Sequence, residues 1–331
     1  MALNKRNFGI TSEGQEIFIY TLENSKGMKA EVTNFGAVLV KLLVPDAKGQ
    51  VDDVVLGYDT LDEYKVNADF YGSTVGPSAN RIGGATFTLE GVEYKLAEND
   101  GANNLHSDRD KGYHKVVWDV EEGDNSITFL LNDADGNLGF PGNKEISVTY
   151  TLDEENALTL QYHGISDKKT IMNLTNHTYF NLDGHGSGSN KSHKMQIHAS
   201  YFTPTSQDLI PTGELMAVKG TPMDFTVPKA IGEEIDADFE PLTCAGGYDH
   251  NWVIDGWDGS LREFAIVEGA ASGRKMVCYT TLPGVQFYAG NFMKPDKGKD
   301  GAVYDFRGAF CLETQYFPNS VNIPTFPSCS A

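Results

Sequence analysis

Basic side chains are scarce in this 331-residue chain, in which 26 Lys and Arg are outnumbered by 46 Asp and Glu, giving a formal net charge of −20. An electrostatic field of that sign repels phosphate backbones and anionic lipid headgroups. The composition therefore disfavours nucleic acids and membrane surfaces as partners. Hydrophobic residues make up 40% of the chain and aromatic residues 11%, which excludes disorder of the whole chain.

Long apolar runs are also missing. The most apolar stretch, residues 35–44, is about ten residues long and contains Lys41, whereas a membrane-spanning helix needs about 20 apolar residues. Residues 1–16 contain two basic side chains, but no apolar segment follows them, so we expect no secretory signal. These absences predict a cytoplasmic protein.

Cysteine is rare, and its spacing forms no C-x-x-C pair; the four cysteines are Cys244, Cys278, Cys311 and Cys329. Neither a zinc motif nor a redox motif is indicated, and we expect buried or free thiols in a reducing compartment. His193 and His198 would lie on opposite faces of a strand, so we expect both to be solvated. The sequence predicts no metal site.

Helical periodicity is weak, and the pattern that replaces it is that of β-strands. Apolar and polar residues alternate with period 2 in many short runs, for example residues 16–22, 145–152, 158–163, 275–281 and 309–314. The best short helix is Thr60–Lys65, with Thr60 as its N-cap. Strands without intervening helices predict antiparallel pairing, and 35 glycines suit many turns. We therefore predict one large all-β domain.

Five polar segments interrupt this pattern and are candidate parts of a functional site; they are residues 76–84 with Arg81, 103–107 with His106, 173–182 with His177, 246–252 with Asp249, and 310–315 with Glu313. Four of them have a structural alternative: a salt-bridge partner for Arg81, a hydrogen-bonded turn histidine for His106, a core histidine for His177 and an Asx turn for Asp249.

Strand geometry supports a functional role for two of these segments, residues 173–182 and 310–315. Period 2 places Asn173, Thr175, His177 and Tyr179 on one face, which resembles the floor of a polar cleft. The same period places Cys311, Glu313 and Gln315 together in a strand that is otherwise apolar. Burial would raise the pKa of the glutamate towards the range useful for a general base.

Taken together, the segments resemble the aldose 1-epimerase (galactose mutarotase) family over nearly the whole chain. The similar stretches occur in the family's order; they are NFGAVLVKLLVPD (34–46), DVVLGYDTLDEY (53–64), ANRIGGATFTLEG (79–91), NNLHSD (103–108), NLTNHTYFNLDGHGSG (173–188), LIPTGEL (209–215), GYDHNW (247–252), GVQFYAGNF (284–292) and FCLETQYFPNSVN (310–322).

The resemblance implies a single antiparallel β-supersandwich over residues 1–331 that interconverts the α and β anomers of free hexoses such as galactose and glucose. It implies that His177 is the general acid for the ring oxygen and Glu313 the general base for the C1 hydroxyl. Five further positions match sugar-binding residues of the family: Asn80, Arg81, His106, Asp249 and Gln286. For this chemistry we expect no cofactor, His177 protonated while Glu313 is ionised, and a monomeric protein.

The chain departs from the family at three places that flank the expected pocket. Pro77 and Ser78 stand where an aromatic residue or Arg is frequent, Ser107 stands where Gly often follows the histidine, and His114 replaces small polar or acidic residues. These departures concern substrate preference rather than the acid–base pair.

Three other functions remain as alternatives. A hexose-phosphate 1-epimerase would need more cationic residues than the six arginines here suggest. A non-catalytic sugar-binding module would not need both His177 and Glu313. A glycosidase would need two cooperating carboxylates, which Glu313 and Asp249 could supply.

Overall fold

The structure is a computed structural model, and residues 4–331 are described here. The chain begins with a five-stranded antiparallel meander; its strands are β1 (Asn4–Ile10), β2 (Glu16–Glu23), β3 (Lys29–Thr33), β4 (Val38–Pro45) and β5 (Val51–Asp53). The helix α1 (Leu61–Val66) follows, and Thr60 caps it through a reciprocal capping box with Glu63. The predicted helix and its N-cap are thus confirmed.

Short strands and a second meander form the middle of the chain. Five of these strands are only two to four residues long; they are β6 (Ser73–Val75), β7 (Arg81–Ile82), β8 (Thr86–Leu89), β9 (Val92–Lys95) and β10 (Asn104–Leu105). The meander is a four-stranded sheet of β11 (Asp119–Glu122), β12 (Ser126–Asp133), β13 (Lys144–Leu152) and β14 (Leu158–Ser166).

The remaining strands build two further sheets and several short pairs. They are β15 (Thr175–His177), β16 (Tyr179–Phe180), β17 (Lys194–Ile197), β18 (Tyr201–Thr203), β19 (Met216–Ala217), β20 (Lys229–Ala230), β21 (Asp249–Val253), β22 (Arg262–Glu268), β23 (Lys275–Thr280), β24 (Gly284–Tyr288), β25 (Asp296–Lys297), β26 (Val303–Tyr304) and β27 (Phe310–Gln315). One sheet has the order β16-β27-β24-β21-β18-β19, and the other has the order β20-β17-β22-β23.

The main core lies between these sheets. Alternate residues of β2, β12, β13, β17, β21 and β24 point into one apolar cluster, in which Trp252 and Phe287 are fully buried. The ladders between the strands named above are antiparallel, as the sequence predicted. The described residues contain no helix that is long and apolar enough to span a membrane.

Two local features differ from the sequence predictions. A second helix, α2 (Glu240–Ala245), was not predicted, although Pro241 in its first turn and the left-handed Gly246 at its end are the usual boundary signals. The strand predicted to carry Asn173, Thr175, His177 and Tyr179 on one face is broken at Thr178: β15 pairs with β6, whereas β16 pairs with β27. His177 therefore lies where the chain passes from one sheet to another.

Candidate active site

A single cleft with a cavity volume of about 590 Å³ contains every site residue predicted from the sequence; these are Asn80, Arg81, His106, His177, Asp249, Gln286 and Glu313. They come from strands and loops that are far apart in the chain. The fold thus brings the predicted residues together without exception.

Three neighbouring strands of the six-stranded sheet form the floor of the cleft. Gln286 of β24 is paired directly with Glu313 of β27, and cross-strand partners point to the same face. Asp249 of β21 joins them because the Gln286 side-chain amide donates a 2.7 Å hydrogen bond to its Oδ1. The predicted alternation in β27 is confirmed, since Cys311, Glu313 and Gln315 are all buried.

The loops beside β7 and β10 form one wall and fix the orientation of His106. The backbone N–H of Asn80 donates to Nδ1 of His106 at 3.1 Å, and the N–H of His106 donates to the Asn80 carbonyl at 3.0 Å. Burial lowers the pKa of His106 well below its usual value, so the ring is neutral. Because Nδ1 accepts, Nε2 carries the proton and is a hydrogen-bond donor.

Arg81 lines the cleft, as predicted, and it also forms a salt bridge, which was its structural alternative. Its Nε donates to Oδ2 of Asp100 at 2.8 Å, and its side chain is only 11% exposed. The ion pair holds the guanidinium at the cleft, where its remaining N–H groups are available as a donor fork.

Two of the departures from the family contact each other. The Ser107 hydroxyl accepts from the N–H of Ser78 at 2.9 Å and donates to the Ser78 carbonyl at 3.0 Å. Ser107 has φ 66°, a conformation that glycine adopts without strain. The serine therefore joins the loop carrying Asn80 to the loop carrying His106, at the cost of backbone strain.

The third departure, His114, lies behind the cleft wall. It is buried, its ring packs 4.6 Å from that of Phe70, and its Nε2 is 3.1 Å from the Arg109 carbonyl. Burial lowers the pKa of His114 to about 3, so it is uncharged at neutral pH.

His177 and Glu313 meet in the interior of the cleft. Nε2 of His177 is 3.6 Å from Oε1 of Glu313, and their side chains are 7% and 3% exposed. Burial lowers the pKa of His177 to about 4, against a smaller opposing contribution from its own backbone. Burial, followed by the charge of Asp249, raises the pKa of Glu313 well above its usual value.

These pKa shifts contradict one prediction from the sequence and confirm another. The raised pKa predicted for Glu313 is confirmed, but the ion pair expected with His177 is opposed by burial, which favours the neutral imidazole and the protonated carboxyl in the free site. Asp249 likewise has a raised pKa, chiefly from burial. The pair therefore holds one proton between its two partners before a ligand binds.

His106, His177 and Glu313 place possible metal-ligand atoms within 4.8 Å of one another. The hydrogen bond from the Asn80 N–H to Nδ1 does not suit a metal, because it leaves the proton of neutral His106 on Nε2. Oε2 of Glu313 is buried with no hydrogen-bond partner among the described residues. This unpartnered oxygen is free to form a hydrogen bond with a bound hydroxyl group.

Several predictions about individual polar residues were wrong. Of the face predicted for Asn173, Thr175, His177 and Tyr179, only His177 and Tyr179 line the cleft. The Asn173 amide instead donates to the Tyr316 carbonyl. His193 is not solvated: it is fully buried and accepts a hydrogen bond from the Leu182 N–H.

The cleft also contains residues that sequence reasoning missed; they include Asp69, Phe70, Arg109, Gln207, Leu209, Tyr288 and Phe292. Tyr288 shares the period-2 face of Gln286 and could have been found from that signal. Phe70 has no such pattern, because it lies outside the strands and has φ 62°.

Comparison with known proteins identifies relatives along nearly the full length. The family model described as aldose 1-epimerase matches residues 19–331. The galactose mutarotase of Bos taurus is 42% identical over 304 residues, which are 92% of this chain and 86% of the relative. The aldose 1-epimerase of Escherichia coli K12 is 34% identical over 321 residues, 96% of this chain and 91% of the relative.

Solved structures agree with these sequence relationships. A GalM/aldose epimerase homologue from C. elegans superposes with a TM-score of 0.86 at 32% identity, covering 94% of this chain and 93% of that one. Galactose 1-epimerase from Lactobacillus acidophilus gives a TM-score of 0.85 at 28% identity, covering 100% and 96%. The all-β mutarotase-like fold is thus confirmed.

Proposed function

The chain belongs to the aldose 1-epimerase family, and we propose on that basis that it interconverts the α and β anomers of free hexoses such as galactose and glucose. The observation that supports this most strongly is the buried contact between His177 and Glu313 in a cleft that also contains Asn80, Arg81, His106, Asp249 and Gln286. An acid and a base held side by side are what opening of a cyclic hemiacetal requires.

Ring opening moves two protons and two electron pairs. Glu313 removes the proton from O1, the former O1–H bonding pair becomes the second bond of the C1 carbonyl, and the C1–O5 bonding pair passes to O5, which takes a proton from His177. Rotation about C1–C2 then presents the other face of the aldehyde. Closure reverses each transfer, so the two groups return to their starting protonation states and no atoms are gained or lost.

In the free site, the proton needed to start this cycle is on the Glu313 carboxyl group rather than on His177. Ionisation of Glu313 and protonation of His177 require that proton to move between groups that are 3.6 Å apart. Sugar hydroxyls that donate to Glu313 would stabilise its anion, and the ion pair would gain strength once water is displaced. An imidazolium whose pKa is lowered by burial is also a strong acid, which suits a weakly basic ring oxygen.

The other polar groups suit the binding and orientation of sugar hydroxyls. Neutral His106 offers an Nε2–H donor, Arg81 offers its free N–H groups, and Asp249 offers an acceptor oxygen. Asn80 and Gln286 complete the set proposed for substrate binding.

Charge in the cleft disfavours a phosphorylated sugar. Two arginines line it, Arg81 and Arg109, and Arg81 is already paired with Asp100, so little cationic capacity is left for a phosphate group. A dianionic substrate would also meet the net charge of −20. We therefore favour an uncharged aldose over a hexose phosphate.

We further propose that residues 1–331 form a single catalytic domain that acts as a monomer in the cytoplasm and needs no cofactor. The match to the family over residues 19–331 supports the single domain, and the acid–base chemistry above requires no redox group. Size-exclusion chromatography with light scattering tests the oligomeric state: a mass near 36.2 kDa supports a monomer, and a multiple of it contradicts one.

Polarimetry of freshly dissolved α-D-galactose tests the activity. We expect the optical rotation to relax to the same end point as in buffer, at a rate that rises in proportion to protein concentration. A relaxation no faster than in buffer would show that the proposed activity is wrong.

A further inference from the structure

We propose that Cys311 is a positioning residue for His177, whose Nδ1 it holds through its thiol while Glu313 contacts Nε2. The inference deepens the proposed function, since it concerns how the general acid of that reaction is oriented. It rests on a contact between two side chains that are 134 residues apart in the chain.

Strand β27 supplies a side-chain contact to each of the two imidazole nitrogens of His177. Sγ of Cys311 is 3.6 Å from Nδ1 of His177, and Oε1 of Glu313 is 3.6 Å from Nε2. Cys311 and Glu313 are two residues apart in β27 and therefore face the same side of the sheet. Strand β27 thus contacts the ring at both ends.

Aromatic side chains enclose the same ring. Phe70 is stacked on His177 with centroids 5.7 Å apart and planes at 27°, and Tyr179 lies at 5.2 Å and 30°. The His106 ring contacts it edge-on at 5.2 Å. Among the described residues, the side chain that lies within hydrogen-bond distance of Nδ1 of His177 is the thiol of Cys311.

A thiol at this place orients the ring without adding a charge. Cys311 is fully buried, and burial together with the charge of Glu313 keeps the pKa of its thiol well above the usual value, so the sulfur carries its proton. When His177 is neutral, S–H donates to Nδ1 and the ring proton resides on Nε2. When His177 is protonated, Nδ1–H donates to the sulfur, which is a weak acceptor.

This arrangement differs from a carboxylate behind a catalytic histidine. A carboxylate stabilises the imidazolium and weakens it as an acid, whereas here burial lowers the pKa of His177 and its own backbone opposes this only in part. The titratable groups packed around His177 are Glu313, Cys311, Tyr179 and His106, with His114 beyond Phe70. Of these, Glu313 alone supplies a counter-charge, and it lies on the substrate side of the ring.

The test compares Cys311→Ala and Cys311→Ser with wild type and with Cys329→Ala, a control at a second buried cysteine that contacts Ser320. We expect Cys311→Ala to lower kcat about fivefold to tenfold, the effect of losing one uncharged hydrogen bond, while KM for galactose stays within about twofold. The serine variant restores a donor and acceptor, so most of kcat should return. Cys329→Ala should match wild type.

Nitrogen-15 NMR of the His177 ring gives a readout that does not depend on turnover. In wild type at neutral pH we expect one tautomer protonated at Nε2, and in Cys311→Ala a mixture of the two tautomers. Wild-type kcat with an unchanged tautomer in Cys311→Ala would overturn the inference, and so would equal losses in the alanine and serine variants. If wild-type protein fails to accelerate mutarotation, the proposed function is wrong, while the NMR comparison still decides the role of Cys311.

Discussion

Replacing His250 should change how the stability of this protein depends on pH. His250 is fully buried; its Nδ1 accepts from the Asp249 N–H at 3.2 Å, so Nε2–H donates to the Pro241 carbonyl at 3.1 Å. Burial lowers the pKa of His250 to about 4, against 6.5 for an unperturbed histidine. Below pH 6.5 the unfolded chain binds a proton at this residue that the folded protein does not bind until about pH 4.

Because of this difference in bound protons, the free energy of unfolding decreases as the pH falls. The contribution of His250 is present in full above pH 6.5 and is lost as pH falls towards 4. Each unit of pKa is worth about 1.4 kcal/mol, so the whole contribution is about 3 kcal/mol, of which about 2 kcal/mol is lost between pH 7 and pH 5. Other buried groups titrate as well, and comparison with a variant isolates this one.

The variant is His250→Gln, which can keep a side-chain N–H near Nε2. Urea unfolding at pH 7, 6, 5.5 and 5, followed by tryptophan fluorescence, gives the free energy of unfolding at each pH. We expect a smaller value than wild type at pH 7 and a difference that shrinks by about 2 kcal/mol by pH 5. His163→Gln, at an exposed position of β14, should leave the wild-type slope unchanged. Parallel curves for wild type and His250→Gln would refute the reasoning.

Substitutions at two further positions, Arg81 and Ser107, test the cleft wall. Arg81→Lys keeps the charge but loses the fork beside Asp100, so steady-state polarimetry should show KM for galactose raised about tenfold and kcat less affected; an unchanged KM would exclude a binding role. Ser107→Ala removes both hydrogen bonds to Ser78 and keeps the strained φ of 66°, whereas Ser107→Gly removes the bonds and the strain. In urea unfolding, the alanine variant should be less stable than the glycine variant by about 1 kcal/mol, and the reverse order would contradict this account.

The sequence predicted most of the fold because its signals are local. Period-2 alternation in β27 placed Glu313 and Gln315 on one buried face, and the N-cap at Thr60 located the first helix. The site residues were predicted through family resemblance, since Arg81 or His106 alone would equally suit a structural role. That ambiguity was real, because Arg81 does form an ion pair.

What the sequence could not supply depends on contacts between distant segments. The thiol of Cys311 reaches His177 only because β16 and β27 pair, and Phe70 stacks on the same ring from a loop without strand periodicity. The protonation of the acid–base pair was predicted wrongly for the free site because burial, rather than mutual attraction, dominates both pKa values. Burial of that extent follows from the packed tertiary structure.

The central claim is that Glu313 and His177 open and close the ring of a free aldose. Exchange between the anomeric proton signals of α- and β-galactose at equilibrium, measured by saturation-transfer NMR, reports that event directly. Wild-type protein should accelerate the exchange in proportion to its concentration, and Glu313→Gln should slow it by at least about 100-fold while remaining folded. Glu268→Gln, at an exposed end of β22, should behave as wild type. Exchange at the wild-type rate in Glu313→Gln would contradict the account.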